Sequence, residues 1–158
     1  MVDHSDTGLG KDTAYTDQYD AALLFPIPRS KARAIGEKEG AKTGGLPFLG
    51  TDLWTAFEIS WLNQQGLPQV AIGEFIFPCT SDAIIESKSF KLYLNSFNQT
   101  QYPSIDAVQA VIQADVSAAC GAEAEVQLYR VGDYNGIRPV AESEGTCIDQ
   151  RSVSVDTY

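Results

Sequence analysis

Residues 86–100 read ESKSFKLYLNSFNQT, and the rest of the chain is organised around this stretch. Its apolar side chains recur at positions i, i+3, i+4 and i+7, which is the spacing of one buried face of an α-helix. The residues before it, Ala83 to Ile85, are apolar, so we expect the helix to begin at Glu86 and Ser87, with Ser87 as its N-cap. The predicted buried face consists of Phe90, Tyr93, Leu94 and Phe97.

Two lysines, Lys88 and Lys91, occupy the first turns of this helix, where the helix dipole disfavours positive charge. An anion such as phosphate, held by the ammonium groups and by free backbone N–H groups, would remove that conflict. The neighbouring Glu86 offers two acceptor oxygens to a heterocycle with adjacent N–H donors. The alternative is a solvated surface with two exposed lysines and a capping glutamate, and the residue types alone favour this alternative.

The first eight residues of the stretch, ESKSFKLY, resemble the signature of the NADPH-dependent 7-cyano-7-deazaguanine reductases. These are the nitrile reductases of queuosine biosynthesis, a tRNA modification pathway. Other segments resemble the first module of the long, two-module form of these enzymes, so the resemblance covers nearly the whole chain. The segments are Tyr19-Asp20, Pro28-Arg29-Ser30, Trp54, Glu58 to Asn63, Leu94 to Thr100 and Gly145 to Asp149.

The resemblance implies a set of binding residues. Ile85, Glu86 and Ser87 are expected to contact the deazaguanine, with Glu86 accepting hydrogen bonds from its donor edge. Ser87, Lys88 and Lys91 are expected to contact NADPH. The resemblance implies no catalytic residue and no metal ligand in this chain.

The family's reaction reduces a nitrile to a primary amine with two molecules of NADPH. It needs a cysteine thiolate that attacks the nitrile carbon and an aspartate that supplies a proton. In the long form both belong to the second module, which we expect to begin after Tyr158. The chain alone is therefore expected to be inactive. The full enzyme is expected to be a cytoplasmic homodimer with no direct contact to nucleic acid or membrane.

Composition limits the alternatives. A chain of 158 residues with 44% hydrophobic content can form one module with a real core. Its net charge of −10 argues against unspecific binding to nucleic acid. No run of the sequence reaches the roughly 18 apolar residues of a membrane span, and the polar first residues contain no signal core.

The three cysteines, Cys79, Cys120 and Cys147, have no CxxC spacing and are expected to be reduced, buried thiols. Cys79 precedes the signature, as the nucleophile of single-module relatives does, but no acid follows it at the family's spacing. The only histidine is His4, so we expect no zinc site. Two alternatives stay open: a non-catalytic binding or scaffold module, and a pterin- or purine-handling enzyme of the same fold.

Residues 1–50 are expected to form an N-terminal extension with a docking arm, anchored by Leu23, Leu24 and Phe25, and residues 51–158 the module that carries the signature. A period of two predicts strands at 53–62, 69–77, 125–131 and 146–158. In the first strand, one face is expected to hold Leu53, Thr55, Phe57, Ile59 and Trp61.

A second helix is predicted after Ser104, which is expected to be its N-cap, and Gly121 is expected to end it. Its apolar face would consist of Ile105, Val108, Ile112 and Val116. The order ββααββ predicts an α+β fold, in which two helices pack on one face of an antiparallel four-stranded sheet. This arrangement resembles the tunnelling fold (T-fold), whose modules pair sheet to sheet and bind ligands where they meet.

Overall fold

The computed structural model describes residues 16, 18–31, 33 and 48–136, and the following structural statements concern these residues. Short 3₁₀-helices at Ala21–Leu23 and Val131–Asp133 flank the main elements. The main elements are β1 (Pro26–Pro28), β2 (Thr51–Leu62), β3 (Pro68–Pro78), β4 (Ala83–Ile85), α1 (Ser87–Asn95), α2 (Ile105–Cys120) and β5 (Glu125–Arg130).

The strands form two antiparallel sheets. The larger has the order β2-β3-β5, and the smaller pairs β1 with β4 so that Pro26 lies opposite Ile85. Both helices supply buried side chains to the core that covers one face of the larger sheet. The predicted α+β class with antiparallel strands is confirmed. The pairing of β1 with β4 was not predicted, and the fourth strand predicted at 146–158 lies outside the described residues.

A β-bulge interrupts the pairing of β2 with β3. The register shifts between Ala56 and Ile59, where β2 advances by three residues and β3 by two, so β2 carries one extra residue. Such an insertion exchanges the two faces of a strand, because side chains alternate with a period of two. The single face predicted for residues 53–62 assumed uninterrupted alternation.

The exposures show the consequence of this bulge. Ile59 and Trp61, which follow the bulge, are buried as predicted, but Leu53 before it and Phe57 within it are 55% and 65% exposed. In this half of the strand it is Trp54 that faces the core, where its ring centroid lies 5.4 Å from that of Phe77. The predicted face of the first strand is therefore wrong in its first half.

The buried faces of both helices agree with the spacing of apolar residues in the sequence. The predicted buried face of the first helix is confirmed, since none of its four side chains is more than 5% exposed, although α1 ends at Asn95 and Phe97 lies just beyond it. Ser104 caps α2 by accepting a hydrogen bond from the Ala107 N–H at 3.1 Å, and Gly121 ends it with a φ of 70°. Side chains of the predicted apolar face of α2 are fully buried at Val108, Ile112 and Val116.

The arm, which we define as Tyr19 to Pro28, runs antiparallel to the signature stretch, residues 86–100, because its successive backbone groups contact Thr100, Ser96 and Glu86. Leu23 and Leu24 pack against the core, as predicted. Phe25 is 38% exposed and attaches through its backbone instead of its side chain, so the predicted hydrophobic anchor is wrong there. The division of the chain at residue 50 stays a prediction.

A half-buried carboxylate joins the arm, α1 and α2. Asp115 accepts hydrogen bonds at one oxygen from the hydroxyls of Tyr19 at 2.8 Å and Tyr93 at 2.6 Å. Burial, and then the bond to Asp115 and its negative charge, raise the pKa of Tyr93 above its ordinary value of 10.0. The pKa of Tyr19 and that of Tyr102 are raised mainly by burial as well.

This cluster predicts a loss of stability in alkali. Above about pH 10 the unfolded tyrosines lose protons that the folded ones keep, so the free energy of unfolding should fall as pH rises. Tyr93→Phe should make this fall shallower, while Tyr19 still donates to Asp115. Urea unfolding of both proteins at about pH 8 and pH 11 measures the difference. An equally steep fall in wild type and variant would contradict this role of Tyr93.

Candidate ligand-binding site

The candidate site begins where β4 passes into α1. Ile85 is 1% exposed and ends the strand, and Glu86 is 9% exposed and precedes the helix. Ser87 is exposed and Lys88 is half-buried in the first turn. The residues predicted to bind the two ligands therefore lie in succession at the N-terminus of α1.

Glu86, and not Ser87, is the N-cap of α1. One carboxylate oxygen accepts a hydrogen bond from the Lys88 N–H at 2.9 Å and the other accepts one from the Ser89 N–H at 2.7 Å. The backbone at Glu86 is still extended, with φ −66° and ψ 132°, and α1 begins at Ser87, one residue earlier than an N-cap at Ser87 would give. The predicted N-cap was wrong because a glutamate, an uncommon cap, reaches both N–H groups here.

This cap changes the interpretation of the helix N-terminus. The N–H groups of Lys88 and Ser89 are not free for an external anion, because the protein's own carboxylate occupies them. That carboxylate also offsets the unfavourable position of the lysines near the positive end of the helix dipole. The anion site that used these N–H groups is therefore wrong, although the lysine side chains are unaffected by this correction.

The same geometry leaves the carboxylate with acceptor capacity. An ionised carboxylate offers about four lone-pair sites, and the cap uses one on each oxygen. The two backbone bonds hold the group in one orientation. It can therefore present a fixed pair of acceptors to a planar heterocycle with adjacent donors.

A groove of about 490 Å³ lies between β2 and α1 beside this site, and we name it the β2–α1 groove. It brings together Ser87 and Lys91, two of the three predicted cofactor-binding residues. Ile85, Glu86 and Lys88 do not line it. The lining residues are Trp54, Thr55, Ala56, Phe57 and Glu58 from β2 and Ser87, Phe90, Lys91, Leu94 and Asn95 from α1.

Prediction from sequence missed two features of this region. The wall that β2 contributes includes the bulge, which places both Trp54 and Phe57 at the groove. The sequence predicts no role for Ser89, but its buried hydroxyl donates a hydrogen bond to the backbone carbonyl oxygen of Glu86. The spacing of Glu86 and Ser89 matches a capping box with its two residue types exchanged, and this signal could have identified the contact.

The cysteines of the described residues do not line the groove. Cys79 and Cys120 are buried free thiols, and Cys147 lies outside the described residues. Within the described ranges no cluster of three His, Cys, Asp or Glu side chains could hold a metal ion. Among the helices described, none is both long enough and apolar enough to cross a membrane.

Comparison with known proteins identifies the family. Residues 15–128 match the family model for the N-terminal part of the nitrile reductase 7-cyano-7-deazaguanine reductase. A protein from Burkholderia multivorans, named NADPH-dependent 7-cyano-7-deazaguanine reductase, is 51% identical over 150 residues, covering 95% of this chain and 53% of the relative. A protein of the same name from Burkholderia orbicola is 52% identical, with 95% of this chain and 52% of the relative covered.

The chain therefore spans about half the length of the curated relatives it matches. The matched region contains the arm, both helices, β4 and nearly all of the larger sheet. With its signature at the strand-to-helix junction and this extent of similarity, the chain belongs to the family of N-terminal modules of 7-cyano-7-deazaguanine nitrile reductases.

Proposed function

We propose that this chain is the N-terminal half of an NADPH-dependent nitrile reductase. The enzyme converts 7-cyano-7-deazaguanine into 7-aminomethyl-7-deazaguanine, which serves queuosine biosynthesis and thus tRNA modification. The observation that carries the proposal is 51% identity over 95% of the chain to a reductase of that name. The reaction consumes two NADPH and two protons, and C≡N becomes CH₂NH₂.

In this proposal Glu86 recognises the deazaguanine, together with Ile85 and Ser87. The two backbone hydrogen bonds to its carboxylate support this role, because they fix the acceptor before the ligand arrives. Each charge-assisted hydrogen bond to the ligand would contribute about 1.5–3 kcal/mol. Such a bond selects a heterocycle with donors at matching positions.

Ser87, Lys88 and Lys91 bind NADPH. The presence of Ser87 and Lys91 in the β2–α1 groove supports this assignment. The apolar side chains of Trp54 and Phe90 form part of the same groove, beside the hydroxyl and the ammonium group. In a chain of net charge −10, these lysines are a local positive region that suits phosphate groups.

The second module of the same enzyme supplies the nucleophilic cysteine, the proton-donating aspartate and the rest of both pockets. The length of the relatives, about twice that of this chain, supports a second module. The full protein is a homodimer in the cytoplasm, without direct contact to nucleic acid or membrane. The free thiols Cys79 and Cys120 are in keeping with a reducing compartment.

Turnover in the full-length protein tests this function. We expect NADPH oxidation that depends on 7-cyano-7-deazaguanine and releases the primary amine, with no oxidation when the nitrile is omitted. The 158-residue chain assayed alone should show no turnover. Binding of both ligands by the full-length protein without any turnover would contradict the reductase and favour a non-catalytic binding module.

The cofactor assignment predicts a selective effect of Lys88→Ala in the full-length protein. The dissociation constant of NADPH should rise on the order of tenfold, because one charge-assisted contact to phosphate is lost. The dissociation constant of the deazaguanine should change less than about twofold. Arg130→Ala, which removes an exposed cation at the end of β5, is the matched control. Equal weakening of NADPH binding by both variants would contradict a specific contact.

A further inference from the structure

Two serines of the signature stretch bind the arm in the same way. Ser89 Oγ accepts a hydrogen bond from the Phe25 N–H at 3.0 Å and donates one to the carbonyl oxygen of Glu86, three residues earlier, at 2.7 Å. Ser96 Oγ accepts from the Asp20 N–H at 3.2 Å and donates to the carbonyl oxygen of Tyr93, also three residues earlier, at 2.6 Å. Both serines are buried.

The two serines differ in what they hold. The Glu86 N–H donates to the carbonyl oxygen of Phe25 at 2.8 Å, so the backbones of Phe25 and Glu86 are joined directly and also through the Ser89 hydroxyl. The Ser89 N–H additionally donates to the Glu86 carboxylate at 2.7 Å. Ser89 thus contacts Glu86 at its carbonyl and at its carboxylate. The partners of Ser96, Asp20 and Tyr93, are not predicted ligand-binding residues.

We propose that Ser89 is a positioning residue for the deazaguanine site, which it serves by closing a ring of hydrogen bonds around the Glu86 backbone. The inference rests on the proposed function and deepens it, because it names what holds the recognising carboxylate in place. Without the hydroxyl, the Glu86 carbonyl and the Phe25 N–H each lose a partner, and the junction between β4 and α1 can shift. A small displacement of a binding group has a large effect on ligand binding.

The matched pair Ser89→Ala and Ser96→Ala, made in the full-length protein, tests the proposal. For Ser89→Ala we expect the dissociation constant of 7-cyano-7-deazaguanine to rise on the order of tenfold, while that of NADPH stays within about twofold. Ser96→Ala should leave both constants within about twofold. The two variants should lower the midpoint of urea unfolding to a similar extent, because each removes the same kind of buried contact. Ser89→Thr keeps the hydroxyl and should recover part of the lost deazaguanine affinity.

A second variant covers the case in which Ser89→Ala does not fold. Phe25→Pro removes the one N–H of the arm that donates to Ser89 Oγ, together with the Phe25 ring, and leaves every side chain of α1 in place. The preceding Leu24 already has the extended backbone that a following proline requires, with φ −67° and ψ 121°. This variant should also weaken deazaguanine binding selectively.

The outcomes separate this proposal from the function on which it rests. If Ser89→Ala weakens deazaguanine binding no more than Ser96→Ala does, while a change at Glu86 abolishes it, the positioning role is overturned and the site stands. If the changes at Ser89 and Glu86 both leave deazaguanine binding intact, the assignment of the site to this junction fails, and this proposal fails with it.

Discussion

Replacing Glu86 by aspartate is expected to weaken deazaguanine binding about 100-fold while leaving the free energy of unfolding within about 0.5 kcal/mol of wild type. Aspartate keeps the negative charge and is among the preferred N-cap residues, so α1 should still be capped. Its side chain is one methylene shorter, which withdraws both oxygens from the ligand. Losing two charge-assisted hydrogen bonds, each at the lower end of the range of about 1.5–3 kcal/mol, accounts for the expected factor.

The measurement is titration calorimetry of the full-length variant with 7-cyano-7-deazaguanine and, separately, with NADPH. Glu123→Asp makes the same substitution at an exposed position before β5 and should change neither affinity. Undiminished deazaguanine binding in Glu86→Asp, together with a clear loss of stability, would show that Glu86 only caps the helix.

Replacing Phe75 by alanine should lower the free energy of unfolding of the chain by about 3–5 kcal/mol. Phe75 is fully buried in the central strand, and its ring centroid lies 4.8 Å from that of Phe90 on α1. Its neighbours across the strands are Trp54 on β2 and Val126 on β5. The deletion therefore leaves a cavity where the sheet meets the helix that carries the signature.

The matched control is Phe57→Ala, which removes the same ring from a position that is 65% exposed. Urea unfolding of this variant should give a free energy within about 0.5 kcal/mol of wild type. The pair also tests the bulge, because uninterrupted alternation in β2 would bury Phe57. Losses of similar size in the two variants would contradict the bulged register.

Local patterns in the sequence were enough for the helices. The face of α1 required only the spacing of Phe90, Tyr93, Leu94 and Phe97, and α2 required only a capping serine, an apolar stripe and a glycine. These signals lie within one element, so they do not depend on a distant partner. The family similarity confirms the predicted T-fold module, with the predicted fourth strand outside the described residues.

Patterns that depend on a partner strand were harder to interpret. Nothing within residues 53–62 reveals the bulge, because the register of β2 is set against β3 and the core beneath it. The pairing of β1 with β4 joins segments that are more than fifty residues apart in the sequence, and Phe25 attaches there through backbone groups. Backbone hydrogen bonds leave no trace in side-chain periodicity.

The candidate site also combines features that follow from the sequence with features that only the tertiary structure decides. The sequence by itself determined that residues 85–88 and Lys91 are grouped at the start of one amphipathic helix, because 3.6-residue periodicity is a local property. The assignment of ligands to these residues stays a prediction. Only the tertiary structure decided that Glu86 caps α1, that Ser89 joins it to the arm, and that the bulge in β2 forms a wall of the groove. These arrangements depend on how separate segments satisfy each other's backbone groups and pack together, which no single segment specifies.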